Sequence, residues 1–181
     1  MKSDLADFIG RHEPFAEETA VWANGRFPLQ ITHYLSQSLP PQPYISSVRA
    51  VVFHGDSVLT ISGPDGDHYI VPGGRREEGE SLAETAHREV LEETGWTIEL
   101  GTILSFTHFH HLSPKPDDYA YPHPDFLQLI YLAEAKSLHQ SHKIFDQWVA
   151  ESHFYSLAEA MTRLQSESQR LLLQAAMARR L

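Results

Sequence analysis

Three glutamates, Glu89, Glu92 and Glu93, stand at positions i, i+3 and i+4 of a segment rich in helix-forming residues. At about 100° per residue, this spacing places the three carboxylates within roughly one quadrant of a helix. Like charges at such spacing repel one another and cost stability. Hard divalent cations bind through oxygen ligands, and magnesium usually shares its remaining positions with substrate phosphates. The three glutamates are therefore candidate metal ligands; a solvated acidic face, relieved locally by Arg88, is the alternative.

The helix that carries these glutamates is marked at both ends. Ser81 and Glu84 have the spacing of a capping box, in which each side chain accepts a hydrogen bond from the other residue's amide. Gly95 stands where a left-handed residue is expected after the last turn. Apolar residues recur every four positions on one face, at Leu82, Ala86 and Val90. The sequence therefore predicts an amphipathic helix that presents the carboxylates on a fixed surface.

A glycine-rich turn precedes the helix. Residues 69–71 predict a short β-strand, and Pro72, Gly73 and Gly74 predict a turn after it. Glycine lets the backbone approach a metal ion or a phosphate closely. A tight turn without further function is the alternative interpretation.

Residues 74–96 combine these features in a fixed pattern. The order is Gly74, five residues, Glu80, seven residues, and then Arg88-Glu89-Val90-x-Glu92-Glu93-x-Gly95-Trp96. This pattern resembles the Nudix box, and the chain resembles a Nudix hydrolase over roughly residues 44–160. Trp96 is a mild departure, since a smaller aliphatic residue is usual there.

The resemblance assigns roles to individual residues. It implies that Glu89, Glu92 and Glu93 are metal-ligand carboxylates with catalytic roles, and that the backbone carbonyl of Gly73 also binds metal. Arg88 matches the catalytic-site arginine that orients a box glutamate through a salt bridge.

Further positions match structural or outer parts of the family's site. Gly74 and Gly95 match the two structural glycines of the box, and Glu80 matches a box glutamate of more variable role. Glu151 lies a few residues before an aromatic strand, where the family often has a glutamate. It is a candidate outer metal ligand or general base, and an exposed loop glutamate is the alternative.

The activity implied is hydrolysis of the diphosphate linkage in a nucleoside diphosphate joined to another moiety. A water molecule activated by Mg²⁺, or by Mn²⁺, attacks phosphorus, because a bound metal lowers the pKa of water and neutralises phosphate charge. The general base is either Glu89 or a carboxylate outside the box. A non-catalytic Nudix-fold regulator that binds a nucleotide is the alternative, but such modules typically lose box carboxylates that this chain keeps. An isoprenyl diphosphate isomerase is a third option. The chemistry of such enzymes uses a cysteine in the site, and this chain contains no cysteine.

The resemblance implies an α/β fold, a Nudix-type α/β/α sandwich with a mixed β-sheet. Strands are predicted near residues 47–53, 57–61, 98–109, 126–135 and 154–155, and the C-terminal part is predicted to be helical in two pieces broken near 166–168. We assign residues 44–181 to this domain and residues 1–43 to a small helical N-terminal extension. Helices are expected at 4–11, 14–22 and 31–38, followed by an extended linker at 39–43. The extension is expected to pack on the core or on a second subunit, and a direct part in substrate binding is the alternative.

Residues 108–125 contain four histidines and four prolines, and prolines at this density disfavour regular structure. Long loops in compact domains are usually functional or disordered. We therefore expect a substrate-recognition loop, with His108, His110, Asp118 and Tyr119 as candidate contacts. The histidines also raise the hypothesis of a zinc site, although their spacing matches no standard site and surface histidines are commoner.

Composition limits the partners. The net charge of −10 argues against binding to extended nucleic acid, but a metal ion can supply the positive charge that a small nucleotide-type substrate needs. No apolar run is long enough for a membrane span, and the first residues lack a signal-peptide core. Together with the absence of cysteine, these features predict a cytoplasmic protein without a membrane partner. A homodimer is expected only from the resemblance.

Overall fold

The computed structural model describes residues 2–22, 25–63, 66–117, 119, 122–144 and 151–180. The helices are α1 (Ser3–Ile9), α2 (Leu82–Thr94), α3 (Leu157–Arg163) and α4 (Glu167–Arg180). The strands are β1 (Pro14–Trp22), β2 (Phe27–Leu35), β3 (Ile45–His54), β4 (Ser57–Ser62), β5 (His68–Tyr69), β6 (Gly73–Arg75), β7 (Trp96–His111), β8 (Asp125–Leu138) and β9 (Glu151–Ser156). Within these residues, no helix combines the length and the apolar character that crossing a bilayer requires.

The nine strands form one sheet, whose main path runs β1-β2-β7-β8-β3-β4-β5. Strand β6 pairs with β3, and β9 pairs with β4. The β3–β8 pair is parallel, and the other pairs are antiparallel. The mixed sheet expected from the resemblance is thus confirmed, with the parallel pair near its centre.

Helices cover both faces of the sheet. The predicted apolar face of α2 packs against one side of β3, in two clusters that contain Leu82, Ala86 and Val48, and Val90, Ala50 and Val52. Helix α4 packs against the opposite side, in a cluster that contains Leu172, Leu173, Ala176, Val51 and Phe53. Since successive strand residues point to opposite faces, β3 contributes to both halves of the core. This arrangement confirms the α/β/α sandwich.

The ends of α2 are as the sequence predicts. The hydroxyl of Ser81 accepts a hydrogen bond from the amide of Glu84 at 3.2 Å, and the Glu84 carboxylate accepts one from the Ser81 amide at 2.8 Å. Gly95 has a φ of 81° and ends the helix in the left-handed conformation. These caps fix where the helix begins and ends, and therefore where the three glutamates lie along it.

The helical N-terminal extension is confirmed only in its first element, α1. The second and third predicted helices are wrong, because β1 and β2 form an antiparallel pair, and β2 joins the sheet through β7. Both segments are rich in β-branched and aromatic side chains, which lose rotamer freedom in a helix and pack well on a pleated surface. Pairing with β2 also satisfies the backbone groups along the edge of β7.

The segment 108–125 is less irregular than its prolines suggest. Residues 108–111 continue β7, and Asp125 begins β8, because the pairing of β7 extends to Leu29↔His111 on one side and His110↔Asp125 on the other. The connection therefore covers residues 112–124, which we call the recognition loop, and all four prolines lie within it.

Candidate active site

Arg88 of α2 organises the carboxylates of the box. Its Nε and Nη2 donate to the two carboxylate oxygens of Glu80 at 2.6 and 3.0 Å. Its Nη1 donates to Glu89 at 2.9 Å and to Glu92 at 3.1 Å. Nη2 also donates to the backbone carbonyl of Arg75 at 2.9 Å. A planar guanidinium with five donors can hold several partners at once, so one residue sets the positions of three glutamates.

Glu80 serves as the structural partner of Arg88. Besides the arginine, the carboxylate accepts from the amide of Glu77 at 2.9 Å and from the hydroxyl of Thr85 at 2.9 Å. The hydrogen bond from Arg88 is the main reason that the pKa of Glu80 falls to about 2. Glu80 therefore remains ionised at neutral pH and anchors the arginine from the side away from Glu92.

Two glycines bring the backbone against the other carboxylates. The amide of Gly73 donates to Glu93 at 2.7 Å, and the residue is buried with a φ of 137°. A side chain at Gly74 would place its Cβ 2.5 Å from a carboxylate oxygen of Glu89. The turn predicted at residues 72–74 is wrong for the two glycines, because Gly73 and Gly74 lie in strand β6, paired with β3. The predicted close approach is present, since both glycines contact the carboxylates of α2.

Burial and neighbouring charges act on Glu89 in opposite directions. Burial raises the pKa of Glu89, the hydrogen bond and charge of Arg88 lower it, and the charge of Glu92 raises it again, with a net upward shift. Its side chain is only 15% exposed. A bound cation would relieve both the burial penalty and the repulsion from Glu92.

The donor set suits a hard divalent cation, although the carboxylates are spread rather than converged. Arg88 holds Glu89 and Glu92, whereas the Gly73 amide holds Glu93. Among the described residues, one group of three potential metal ligands has its ligand atoms within 4.8 Å of one another. That group contains none of these glutamates. Several carboxylate oxygens on one helix match the preference of Mg²⁺ for carboxylates together with water or phosphate.

Arg49 of β3 is a second cation at the site. Its Nε donates to the side chain of Gln128 at 2.7 Å, and its Nη1 donates to the backbone carbonyl of Val71 at 2.9 Å. Burial lowers the pKa of Arg49, while the charges of Glu93 and Glu89 raise it. Because a guanidinium is effectively never deprotonated in proteins, the side chain stays charged, and its charge acts on the carboxylates of Glu93 and Glu89.

A cleft of about 830 Å³ opens beside the carboxylates. It is lined by Glu89, Glu93, Gly73, Gly74, Arg75, Arg49, Gln128, Ser46, Ser47, Trp22, Phe27, Phe109, His111, Tyr119 and Phe126. The polar end comes from the box, β3 and β8, and the aromatic end comes from β1, β2, β7, the start of β8 and the recognition loop. The cleft therefore joins charged groups suited to phosphate with rings suited to a planar group.

Three of these rings form what we call the aromatic wall. The rings of Phe109 and Phe126 stack with centroids 4.7 Å apart and an interplanar angle of 3°. Trp22 lies 5.3 Å from Phe109 and 6.1 Å from Phe126. Trp22 is 43% exposed, so part of its indole remains open to a ligand. Aromatic faces of this kind stack on nucleobases.

The proposed loop contacts separate into two groups. Tyr119 lines the cleft, and its hydroxyl lies 3.0 Å from Nε2 of His111. His108 and His110 alternate with the cleft-lining residues of β7 and so point to the opposite face of the sheet. Asp118 lies outside the described residues.

Glu151 lies at the start of β9, paired with Ser62 of β4. Its carboxylate lies 3.2 Å from a ring nitrogen of His153, and its side chain is 71% exposed. It is not among the residues that line the cleft.

Sequence reasoning missed several cleft residues, above all Arg49, Gln128, Trp22 and Phe109. Arg49 and Gln128 meet only because β3 and β8 pair, and no local pattern marks such a contact. Trp22 could have been found, because Asn24-Gly25 between two apolar runs is a strong hairpin signal.

The family model of the NUDIX domain matches residues 43–175 of the chain. A protein of Bacillus subtilis (strain 168), "Putative ADP-ribose pyrophosphatase YjhB", is 32% identical over 76 residues, which are 42% of this chain and 36% of that protein. The match thus spans only about a third of that relative's length.

Two solved structures share the fold. The B. subtilis pyrophosphohydrolase BsRppH has a TM-score of 0.61 at 19% identity, with 90% of this chain and 97% of that chain covered. A NUDIX hydrolase from Nitrosomonas europaea has a TM-score of 0.56 at 21% identity, with 74% and 89% covered. At these identities the likeness concerns the fold.

Proposed function

The chain belongs to the NUDIX family, and we propose that it hydrolyses the diphosphate linkage of a nucleoside diphosphate joined to a second group, with Mg²⁺ or Mn²⁺ as cofactor. One observation carries the proposal: Glu89, Glu93 and Arg49 lie at one end of a cleft whose other end is the aromatic wall. A diphosphate suits the first end and a nucleobase the second.

The residues that would hold the cation are Glu89, Glu92, Glu93 and the carbonyl of Gly73. When bound, the cation activates water and neutralises charge on phosphate oxygens. Arg88 keeps the glutamates in place and is a positioning residue. Arg49 adds a fixed positive charge beside the diphosphate, where preorganised charge favours the transition state.

We assign the general base to Glu89 rather than Glu151. Glu89 lines the cleft, whereas the largely exposed carboxylate of Glu151 lies beside His153. A base must come within hydrogen-bond reach of the water that it deprotonates, directly or through one further water.

A nucleoside diphosphate sugar is the first substrate class to test, because the YjhB relative is named for ADP-ribose. The aromatic wall would stack on the base. His111 lines the cleft beside Tyr119, and its Nδ1 is buried without a hydrogen-bond partner in the described part of the chain. A buried nitrogen of this kind costs stability until it is paired, so it would favour a ligand with a complementary polar group. The cytoplasmic location and a homodimer stay predictions.

The test is a panel of nucleotide sugars and dinucleotides with Mg²⁺, in which released phosphate monoesters are measured. We expect turnover in the wild type and a fall in kcat of roughly 100-fold or more in Glu92→Gln and Glu93→Gln. Glu78→Gln is the matched control, since Glu78 is an exposed glutamate of the same box that precedes α2. Turnover that survives in both site variants would refute the assignment.

A further inference from the structure

The side chains of His108, His110 and Asp125 converge on the sheet face opposite to the cleft. Nε2 of His108 and Nδ1 of His110 each lie 2.8 Å from Oδ1 of Asp125. One ligand atom from each residue lies within 4.8 Å of the other two. The side chains of His108 and Asp125 are 7% and 4% exposed, and that of His110 is 36% exposed. Two imidazole nitrogens and a carboxylate oxygen therefore meet at a site that is open to solvent on one side.

Strand register brings these groups together. His110 pairs directly with Asp125 across the β7–β8 ladder. His108 lies two residues earlier on β7, so its side chain points to the same face. Directly opposed and diagonal neighbours of an antiparallel pair are within reach of each other's side chains. The backbone therefore holds the three groups in place before any ligand arrives.

We propose that this group is a binding site for a late first-row transition-metal ion, represented by Zn²⁺. Imidazole nitrogen suits zinc and its neighbours, whereas Mg²⁺ prefers oxygen ligands alone. Three protein ligands leave a fourth position for water, as in many zinc sites. The proposed ion differs from that of the box in its ligands and its place, and it does not depend on the proposed function.

The protonation states agree with this assignment. Burial lowers the pKa of His108 and outweighs the hydrogen bond with Asp125, so the imidazole is neutral at pH 7. Burial raises the pKa of Asp125, but the hydrogen bonds from His110 and His108 outweigh it, and the net shift is downward. Neutral imidazole and ionised carboxylate are the forms that bind metal.

An ion at this site would tie together the two strands that flank the recognition loop. His110 is next to the last residue of β7, and Asp125 is the first residue of β8. The neighbouring residues Phe109, His111 and Phe126 point the other way and line the cleft. The ion would therefore steady the base of the loop and the aromatic wall from behind.

The experiment titrates the chelator-treated protein with Zn²⁺ in excess Mg²⁺, which keeps the box carboxylates occupied. Calorimetry should show one tight equivalent in the wild type. His110→Gln and Asp125→Asn should weaken Zn²⁺ binding by roughly 100-fold or more, because the first removes an imidazole ligand and the second removes the negative charge of the carboxylate ligand. His139→Gln, which changes an exposed histidine outside the group, should leave the affinity unchanged.

Asp125→Asn keeps an oxygen acceptor for both histidines. If the three side chains form only a hydrogen-bonded network, this substitution should leave the measured Zn²⁺ affinity unchanged. Equal Zn²⁺ affinity in the wild type and both site variants would overturn the proposal. If a variant fails to fold, anomalous scattering from Zn²⁺-soaked wild-type crystals decides, and a peak only at the box carboxylates counts against the site. Glu92→Gln should bind Zn²⁺ with the same affinity as the wild type, because Glu92 belongs to the box and not to this site. A failure of the proposed function would therefore leave the Zn²⁺ result unchanged.

Discussion

At the residue scale, Gly73 and Gly74 lie against different kinds of atom, and this decides what a methyl group would do at each position. A Cβ at Gly74 would meet the end of the Glu89 side chain, which can rotate away. A Cβ at Gly73 would press on the backbone carbonyl of Val48, at a φ of 137° that L-residues rarely adopt. The substitution at Gly74 therefore displaces the Glu89 side chain alone, whereas the substitution at Gly73 strains the backbone as well as the site.

We expect Gly74→Ala to lower kcat by roughly 100-fold with little change in Tm, because Glu89 must leave its position. Gly73→Ala should lower the Tm by about 2–10 °C, since a strained backbone of this kind costs about 1–3 kcal/mol. Steady-state kinetics and thermal unfolding of both variants provide the check. Wild-type turnover in Gly74→Ala would show that the position of Glu89 does not matter.

Glu80 gives a prediction for pH. Its pKa is lowered from 4.5 to about 2 in the folded protein, chiefly by the hydrogen bond from Arg88. A lowered folded-state pKa stabilises the protein fully above the unfolded value, and this contribution is lost as the pH falls through the folded value. The Tm difference between the wild type and Glu80→Gln, measured in chelator, should be constant from pH 7 to about 5 and should narrow between about 4.5 and 2. A Tm difference that stays constant between about pH 4.5 and 2 would contradict the structural role of Glu80.

At the element scale, the sequence predicted those features of the structure that neighbouring residues determine. The extent of α2, its two caps and the link from Arg88 to the box glutamates depend on residues close together in the chain, and the structure has all of them. Contacts between distant strands did not follow from the sequence. Arg49 meets Gln128 only through the β3–β8 pairing, and the N-terminal strands form because β7 offers them an edge.

The strand pair β1–β2 contributes directly to the cleft through Trp22 and Phe27. We expect Trp22→Ala to raise KM for a nucleotide substrate by roughly tenfold with a smaller effect on kcat, because stacking on one base is worth about 1–3 kcal/mol. Val21→Ala is the matched control, since Val21 is 61% exposed and precedes Trp22 on the same strand. An unchanged KM in Trp22→Ala, measured by initial-rate kinetics, would exclude stacking on the aromatic wall.

At the scale of the whole molecule, the N-terminal part is continuous with the sheet. Strand β2 pairs with β7 over seven residue pairs, from Leu29↔His111 to Leu35↔Ser105. Leu5 and Phe8 of α1 are buried in one cluster with Tyr34 and Phe106. A boundary near residue 43 therefore cuts through a shared core, although the family model begins there.

We expect a truncated protein of residues 44–181 to unfold at a lower temperature than the full chain and to aggregate more readily. Removal of β2 exposes the backbone edge of β7 together with apolar side chains, and such edges pair with other chains. The full chain should unfold in one transition, and the truncated protein should also lose substrate affinity, because Trp22 and Phe27 are gone. Calorimetry, light scattering and KM measurements on both proteins check this. Equal Tm and KM values would show that residues 1–43 are a separate appendage.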